Sequence, residues 1–166
     1  MKVKELLNSG DVKYCTAGTT AHNAAKIMKT ANCGALPVID NKKKVIGLVT
    51  DRDICLSLAT KKSKPASKVN VKDIMTSSVH TVHADDDVSK ALREMRINKI
   101  GRVPVIDNAG LLKGIVSLHD MISEATSNGK LKIGTLSAKG ENLMKTMNAI
   151  TSRYSSGNEW EAPLKM

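Results

Sequence analysis

The fold is decided by the stretch Gly47-Leu48-Val49-Thr50-Asp51-Arg52-Asp53, which returns 67 positions later as Gly114-Ile115-Val116-Ser117-Leu118-His119-Asp120. In each copy an apolar run typical of a β-strand enters a hydroxyl residue. A carboxylate follows three positions on, where the pattern predicts a helix start. The N–H groups and dipole of a helix start favour a phosphate, and a carboxylate accepts hydrogen bonds from the two hydroxyls of a ribose. The sequence therefore predicts a nucleotide-binding unit, present twice.

The duplication extends over most of the chain. Apolar residues match at the same offset of 67 positions: Val12 with Val79, Ala17 with Ala84, Ala24 with Ala91, and Met28 with Met95. The openings at 3–7 and 71–75 match at an offset of 68, which places one extra residue in the turn at 8–10. Matches that fall at structural positions indicate a true internal repeat.

Both copies predict a strand, a helix, two strands and a helix, in that order. In the first copy we expect strands at 12–15, 36–40 and 45–49, a helix after a cap at Thr19 or Thr20, and a helix at 51–59. In the second copy we expect strands at 79–82, 103–107 and 111–116, a helix after a cap within Asp85 to Asp87, and a helix at 118–125. The predicted fold class is α/β (α+β), with the two sheets packed together and related by pseudo-two-fold symmetry.

The predicted organisation is a first repeat at 1–62, a polar linker at 63–70, a second repeat at 71–126 and a C-terminal tail at 127–166. Because a copy of about 60 residues is marginal alone, we expect the two repeats to share one hydrophobic core. Apolar residues at helical spacing predict a short amphipathic helix from Asn142 to Arg153 within the tail. Residues 155–166 show no period, and we expect them to fray or to dock on a partner.

The charge balance leaves several classes of partner open. The 166 residues include 26 Lys and Arg against 16 Asp and Glu, for a net charge of +10. Such a balance suits nucleic acid, an anionic membrane surface or a phosphorylated small ligand, and an ordinary solvated surface also produces it. The basic patches at 42–44 and 61–68 carry no aromatic residues on which bases would stack, so nucleic acid is not favoured. A basic scaffold that binds nucleic acid or a protein through its charged loops and tail stays as the alternative function.

Cysteine usage and the start of the chain predict a cytoplasmic protein. Cys15, Cys33 and Cys55 lie far apart without a Cys-x-x-Cys pair, which predicts reduced thiols in the core. Cys55 in particular is expected to be buried within a helix. The first five residues are too charged for a signal peptide, and no apolar run approaches the ~18 residues of a membrane span, so we expect no membrane partner.

The repeated motifs resemble those of a known family. They are the helix pattern Ala-x-x-x-Met, the strand pattern Gly-x-x-Pro-Val-Ile-Asp and the closing pattern Gly-hydrophobic-Val-Thr/Ser-x-x-Asp, each present twice within about 3–125. They are similar to the motifs of tandem cystathionine-β-synthase (CBS) domains, the paired arrangement called a Bateman module. The resemblance implies two clefts between the copies that bind adenosine-containing ligands such as AMP, ADP, ATP, S-adenosylmethionine or NAD. It also implies a stand-alone homodimer that senses energy state and regulates a protein partner.

The resemblance further assigns roles to particular residues. Asp53 and Asp120 would hold the ribose hydroxyls, and Thr50 and Ser117 would contact phosphate. The implied base contacts are the backbone of Ala35 with Leu36 and of Arg102 with Val103, together with the opening strands at Cys15-Thr16 and Val82-His83. Arg52 and His119 would meet either phosphate or solvent. Tyr14 and Cys15 stand where the second copy has the more usual pair Thr81 and Val82, so we expect the two sites to differ.

The Thr-x-x-Asp and Ser-x-x-Asp pairs also have an interpretation without a ligand. They are near-capping boxes, in which a hydroxyl and an acid satisfy the first N–H groups of a helix. A capping box favours Glu or Gln because Asp is a methylene shorter, so two aspartates favour the ligand role. The two roles can also coexist, with capping in the empty state.

Catalysis and metal binding are not expected. The sequence has no phosphate-binding Gly-x-x-x-x-Gly-Lys-Ser/Thr loop, and no residue resembles an activated nucleophile. His80 and His83 are three apart in an expected strand and would point to opposite faces, which disfavours a shared metal ion.

Overall fold

Two three-stranded sheets, one from each copy, carry the fold in the computed structural model, which describes residues 1–7, 12–60, 64–127 and 138–155. The first sheet contains β1 (Cys15–Thr16), β2 (Ala35–Ile39) and β3 (Val45–Thr50), and the second contains β4 (Val82–His83), β5 (Arg102–Ile106) and β6 (Leu112–Ser117). The helices are α1 (Ala21–Thr30), α2 (Asp51–Thr60), α3 (Val88–Asn98), α4 (Leu118–Ser127) and α5 (Ala138–Ser155). The predicted order of elements and the mixed α/β class are confirmed.

The two sheets share one topology, and it explains a proline in the middle strand. In each sheet the middle strand runs parallel to the short first strand and antiparallel to the third. In the first sheet β1 pairs only with Val38 and Ile39, and the backbone of Leu48, opposite Pro37, bonds outward to Thr76. The N atom of Pro37 therefore lies beyond the end of the β1 ladder, where a missing N–H breaks no bond.

Helices α1 and α3 begin at predicted caps. Thr20 Oγ1 accepts a hydrogen bond from the N–H of Asn23 at 3.2 Å, and Asp87 Oδ1 accepts one from the N–H of Ser89 at 2.9 Å. Each bond satisfies one of the four N–H groups that a helix start leaves without a partner. The cap positions fix where the apolar face of each helix meets its sheet.

Two hydrophobic clusters, one in each copy, stabilise the described part of the chain, so the prediction of one shared core is wrong. The reason is an exchange of the openings, which form 3-10 turns that we call the lead turns (Val3–Leu6 and Val71–Asp73). Val3 is fully buried in the cluster of the second copy, and Val71 is fully buried in the cluster of the first. Each core is thus completed by a segment that precedes the other copy's sheet.

The glycine of the repeated stretch makes room for this exchange. A Cβ atom on Gly114 would lie 2.5 Å from Leu7 Cδ2, and a Cβ on Gly47 would overlap Met75 Sδ. The backbone after Met75 then pairs with β3, since Leu48 and Thr76 exchange two hydrogen bonds of 2.9 Å. A side chain at either glycine would force Met75 or Leu7 of the other copy's opening to move.

The C-terminal helix predicted from Asn142 to Arg153 exists and is longer, as α5. It packs along α3, where Leu143 joins the second core and Thr146 Oγ1 donates a hydrogen bond of 3.3 Å to the carbonyl of Leu92. The helix therefore extends the second copy. The turn at 8–10 and the final stretch predicted to fray lie outside the described residues.

Candidate ligand-binding clefts

Two clefts lie between the copies, and each contains one of the repeated aspartates. Cleft 1, of about 500 Å³, lies between Asp53 of the first copy and Arg102 of the second. Cleft 2, of about 230 Å³, lies between Asp120 of the second copy and Ala35 of the first. Other residues that line the two clefts also match at the offset of 67 positions: Leu48, Val79 and Ile100 in cleft 1 correspond to Ile115, Val12 and Cys33 in cleft 2. Each cleft therefore combines the helix start of one copy with the strand start of the other.

The aspartates are held by the hydroxyl residues three positions before them. Asp53 Oδ2 accepts hydrogen bonds from the N–H of Thr50 at 2.8 Å and from its hydroxyl at 2.7 Å, and the N–H of Asp53 donates to Thr50 Oγ1 at 3.2 Å. Asp120 and Ser117 repeat the arrangement at 2.7, 2.7 and 3.2 Å. Both pairs are closed capping boxes. The argument that Asp is too short for this role is wrong, because one oxygen reaches both the N–H and the hydroxyl of the capping residue.

Most of the first N–H groups of α2 and α4 already have an acceptor within the chain, contrary to the prediction that a phosphate would find them unpaired. In α2 the N–H of Asp51 donates to the carbonyl of Gly34 at 3.2 Å, and the N–H of Arg52 donates to Asp51 Oδ1 at 2.7 Å. In α4 the N–H of Leu118 donates to the carbonyl of Gly101 at 2.9 Å. Each capping box engages two further N–H groups, that of the capping residue and that of the aspartate. A phosphate in either cleft would therefore depend chiefly on side chains.

The two clefts differ in their basic side chains. Arg52, Arg102 and His80 line cleft 1, whereas Lys13 and Lys113 line cleft 2. A guanidinium group can donate two parallel hydrogen bonds to one phosphate, and an ammonium group acts as a point charge. Cleft 1 is therefore the better equipped of the two for a phosphate.

The structure places the predicted site residues in the clefts, in the hydrophobic clusters and at more exposed positions. Asp53, Thr50, Arg52 and Arg102 line cleft 1, and Asp120 and Ala35 line cleft 2, with Ser117 bonded to Asp120. Four others have side chains buried in the hydrophobic clusters: Cys15, Leu36, Val82 and Val103. Thr16 and His119 are exposed, with His119 Nε2 3.4 Å from Ser123 Oγ. His83 is half-buried, and its Nδ1 is buried without a hydrogen-bond partner in the described part of the chain.

Sequence reasoning missed the residues that open each cleft. Val79 with His80 and Val12 with Lys13 line the clefts, three positions before the pairs that the resemblance implied. Val82 and Cys15 are buried in the hydrophobic clusters, so their side chains are not available to a ligand in a cleft. Residues that precede these short strands were therefore the better candidates.

The cysteines do not all lie in the core as predicted. Cys15 is buried, Cys33 is half-buried in cleft 2, and Cys55 is exposed on α2. The buried face of α2 carries Ile54 and Ser57, and a helix turns Cys55 about 100° away from Ile54. Burial raises the pKa of the Cys15 thiol to about 11, so this thiol stays protonated and unreactive at neutral pH.

The described part of the chain contains neither a cluster of metal ligands nor a membrane-spanning helix. In residues 1–7, 12–60, 64–127 and 138–155, no group of three or more His, Cys, Asp or Glu side chains is placed to hold a metal ion. Within the same ranges, no helix combines the length and apolar character that crossing a membrane requires.

Sequence comparison identifies the repeat. The model of the CBS domain family matches the chain twice, at residues 3–60 and 71–127. The uncharacterized protein YlbB of Bacillus subtilis is 40% identical over 129 residues, which cover 76% of this chain and 84% of that protein. Inosine-5'-monophosphate dehydrogenase of Methanocaldococcus jannaschii is 34% identical over 113 residues, but these cover only 21% of the enzyme. The chain thus corresponds to a minor part of that enzyme.

Solved structures share the fold over most of its length. The CBS domain pair of protein MJ0100, in complex with 5'-methylthioadenosine and S-adenosyl-L-methionine, matches with a TM-score of 0.67 and 31% identity, covering 78% of this chain and 98% of that one. The CBS domain protein TA0289 of Thermoplasma acidophilum matches with a TM-score of 0.70 and 25% identity, covering 92% and 77%. The two family matches, the duplicated topology and these neighbours show that the chain belongs to the CBS domain family, as a tandem pair of CBS domains.

Proposed function

We propose that this CBS pair is a non-catalytic regulatory module that binds adenosine-containing ligands in clefts 1 and 2. The observation that carries the proposal is a fixed carboxylate in each of two symmetry-related clefts. Each capping box occupies Oδ2 of Asp53 or Asp120, and no donor in the described residues is bonded to Oδ1. One oxygen of an oriented carboxylate is thus available to accept hydrogen bonds from ribose hydroxyls. The adenosine ligands of the MJ0100 domain pair support the same ligand class here.

For cleft 1 we favour the adenine nucleotides AMP, ADP and ATP. Its volume of about 500 Å³ lies within the range of small-molecule sites, and its two arginines suit a phosphate. The Thr50 hydroxyl already donates its proton to Asp53, so in this proposal Arg52 and Arg102 carry the phosphate. Asp53 would hold the ribose, with the apolar side chains of Val79 and Ile100 against the base.

We further propose that the module works as a cytoplasmic homodimer and signals to a second protein. Apolar side chains on α2 support a second copy as partner, since Leu56 and Leu58 are 49% and 41% exposed. Each of these exposed leucines is an apolar side chain that a second copy could cover. Sedimentation over a range of protein concentrations tests this step, and a monomer throughout would contradict it.

Thermal unfolding tests the ligand class directly. At a ligand concentration of a hundred times its dissociation constant, binding to the folded chain adds about 2.7 kcal/mol. For a chain of this size we expect the melting temperature to rise by about 5 to 10 °C. The measurement compares AMP, ADP, ATP and S-adenosylmethionine with GMP as the matched control. A melting temperature unmoved by all four adenosine compounds at millimolar concentration would contradict the proposal.

A further inference from the structure

A groove runs along α1 in the first copy and joins cleft 2. It has a volume of about 610 Å³, and its lining includes the apolar side chains of Ile27 and Ala31 and the methylene stems of Lys13 and Lys26. Lys13 and Ala31 also line cleft 2. The two cavities therefore adjoin at these residues.

In the second copy, polar contacts bridge the matched positions. At the offset of 67, Glu94 stands for Ile27, Asn98 for Ala31 and His80 for Lys13. Glu94 Oε2 accepts a hydrogen bond from Asn98 Nδ2 at 3.2 Å and lies 3.7 Å from His80 Nδ1. In the second copy, side chains of α3 and of the opening of cleft 1 therefore contact each other at the positions that match the α1 groove. The matching positions beside cleft 2 carry no such contact in the described residues.

The bridge continues toward the start of α3. Asp86 and Lys90 form an ion pair of 2.9 Å, where the first copy has the uncharged residues Thr19 and Asn23. Thr19 and Asp86 both accept a hydrogen bond from the N–H three residues before them, at 3.1 and 2.7 Å, so the ion pair to Lys90 is what distinguishes the second copy. The difference between the copies therefore extends over two turns of the helix.

We propose that cleft 2 and the α1 groove form one site for an adenosine ligand that carries an apolar extension. The inference rests on the proposed function of cleft 2 and adds the chemical class of its ligand. Cleft 2 alone, at about 230 Å³, is smaller than typical small-molecule sites, whereas cleft and groove together fall within their range. The extension passes between Lys13 and Ala31 and packs against Ile27, while the lysine ammonium groups remain in water. In the second copy, the contacts of Glu94 with Asn98 and His80 block the matching route out of cleft 1.

A series of N6-alkyladenosines, from methyl to hexyl, tests the inference by calorimetry against adenosine itself. The N6 position is chosen because Val12 and Cys33, which match the residues proposed to contact the base in cleft 1, lie next to Lys13 and Ala31 along the lining of cleft 2. Cleft 2 is measured in Asp53→Ala and cleft 1 in Asp120→Ala. At cleft 2 we expect affinity to rise about fourfold for each methylene group that enters the groove. At cleft 1 we expect no rise with chain length.

Exchange of the bridging residues provides matched variants. Ile27→Glu is expected to abolish the dependence on chain length at cleft 2, and Glu94→Ile is expected to create one at cleft 1. Because Ile27 also packs against the first core, the substitution at the partly exposed Glu94 keeps the test decisive if Ile27→Glu does not fold. If adenosine binds but affinity rises equally with alkyl chain length at both clefts, or does not rise at cleft 2, only this inference is overturned. Absence of adenosine binding at both clefts would overturn the proposed function with it.

Discussion

Asp53→Ala is expected to weaken nucleotide binding in cleft 1 by about tenfold or more. A hydrogen bond to a charged group contributes about 1.5–3 kcal/mol, and the variant removes the carboxylate that would accept the ribose hydroxyls. The same change opens the capping box with Thr50, which costs about 1 kcal/mol of folding free energy. Calorimetry measures the affinity, and urea unfolding without ligand measures the stability. We expect both to fall, and the loss of affinity to exceed what the lost cap explains.

Thr20→Ala provides the matched control for this prediction. Thr20 caps α1 through the N–H of Asn23 and lies outside the residues that line either cleft. It should lose a similar stability of about 1 kcal/mol while nucleotide affinity stays unchanged. If Asp53→Ala behaves in the same way as Thr20→Ala, the aspartate serves only as a cap and the ligand role of cleft 1 is wrong.

Asp120→Ala tests cleft 2, where alkylation of a cysteine thiol can report ligand binding. Cys33 lines this cleft and Cys55 is exposed away from it. A ligand in cleft 2 should slow alkylation of Cys33 and leave Cys55 unaffected. In Asp120→Ala the protection of Cys33 should disappear at the same ligand concentration. Equal protection in both proteins would show that Asp120 does not hold the ligand.

The order of elements was predictable because it depends on local patterns. An apolar period of two or of about 3.6 residues specifies a strand or a helix face, and the duplication supplied each pattern twice. The cap at Thr20 and the box at Asp53 likewise depend on neighbours within three residues. These features therefore needed no knowledge of the tertiary structure.

The exchange of the lead turns was not predictable in the same way. Val3 and Val71 are identical residues in matching segments, so the pattern shows that each is buried but not in which copy. The clash of a Cβ at Gly47 or Gly114 with the other copy's opening becomes visible only in three dimensions. The lining of the clefts was partly missed for the same reason, since each cleft joins residues that lie far apart in the chain.

Leu36→Ala and Met95→Ala are each expected to lower the free energy of unfolding by about 2–5 kcal/mol. Both side chains are fully buried, Leu36 in the first cluster and Met95 in the second. A large-to-small change in a core loses the transfer free energy of the removed atoms and leaves a cavity. Since the whole domain has only about 5–15 kcal/mol of stability, either change alone should be conspicuous in urea unfolding. Ile97→Ala, at an exposed position of α3, should change stability by less than about 0.5 kcal/mol.

The double variant that combines Leu36→Ala with Met95→Ala tests whether the chain has two separate hydrophobic cores or one shared core. Leu36 and Met95 belong to different clusters, so their effects should add to within about 0.5 kcal/mol. Leu36 and Val38 share one cluster and one face of β2, and their double variant should deviate from additivity by more than that. The exchanged lead turns still tie both cores into one unfolding transition, because loss of either sheet removes a segment that completes the other core. A coupling between Leu36 and Met95 as large as that between Leu36 and Val38 would instead favour the single shared core that the sequence suggested.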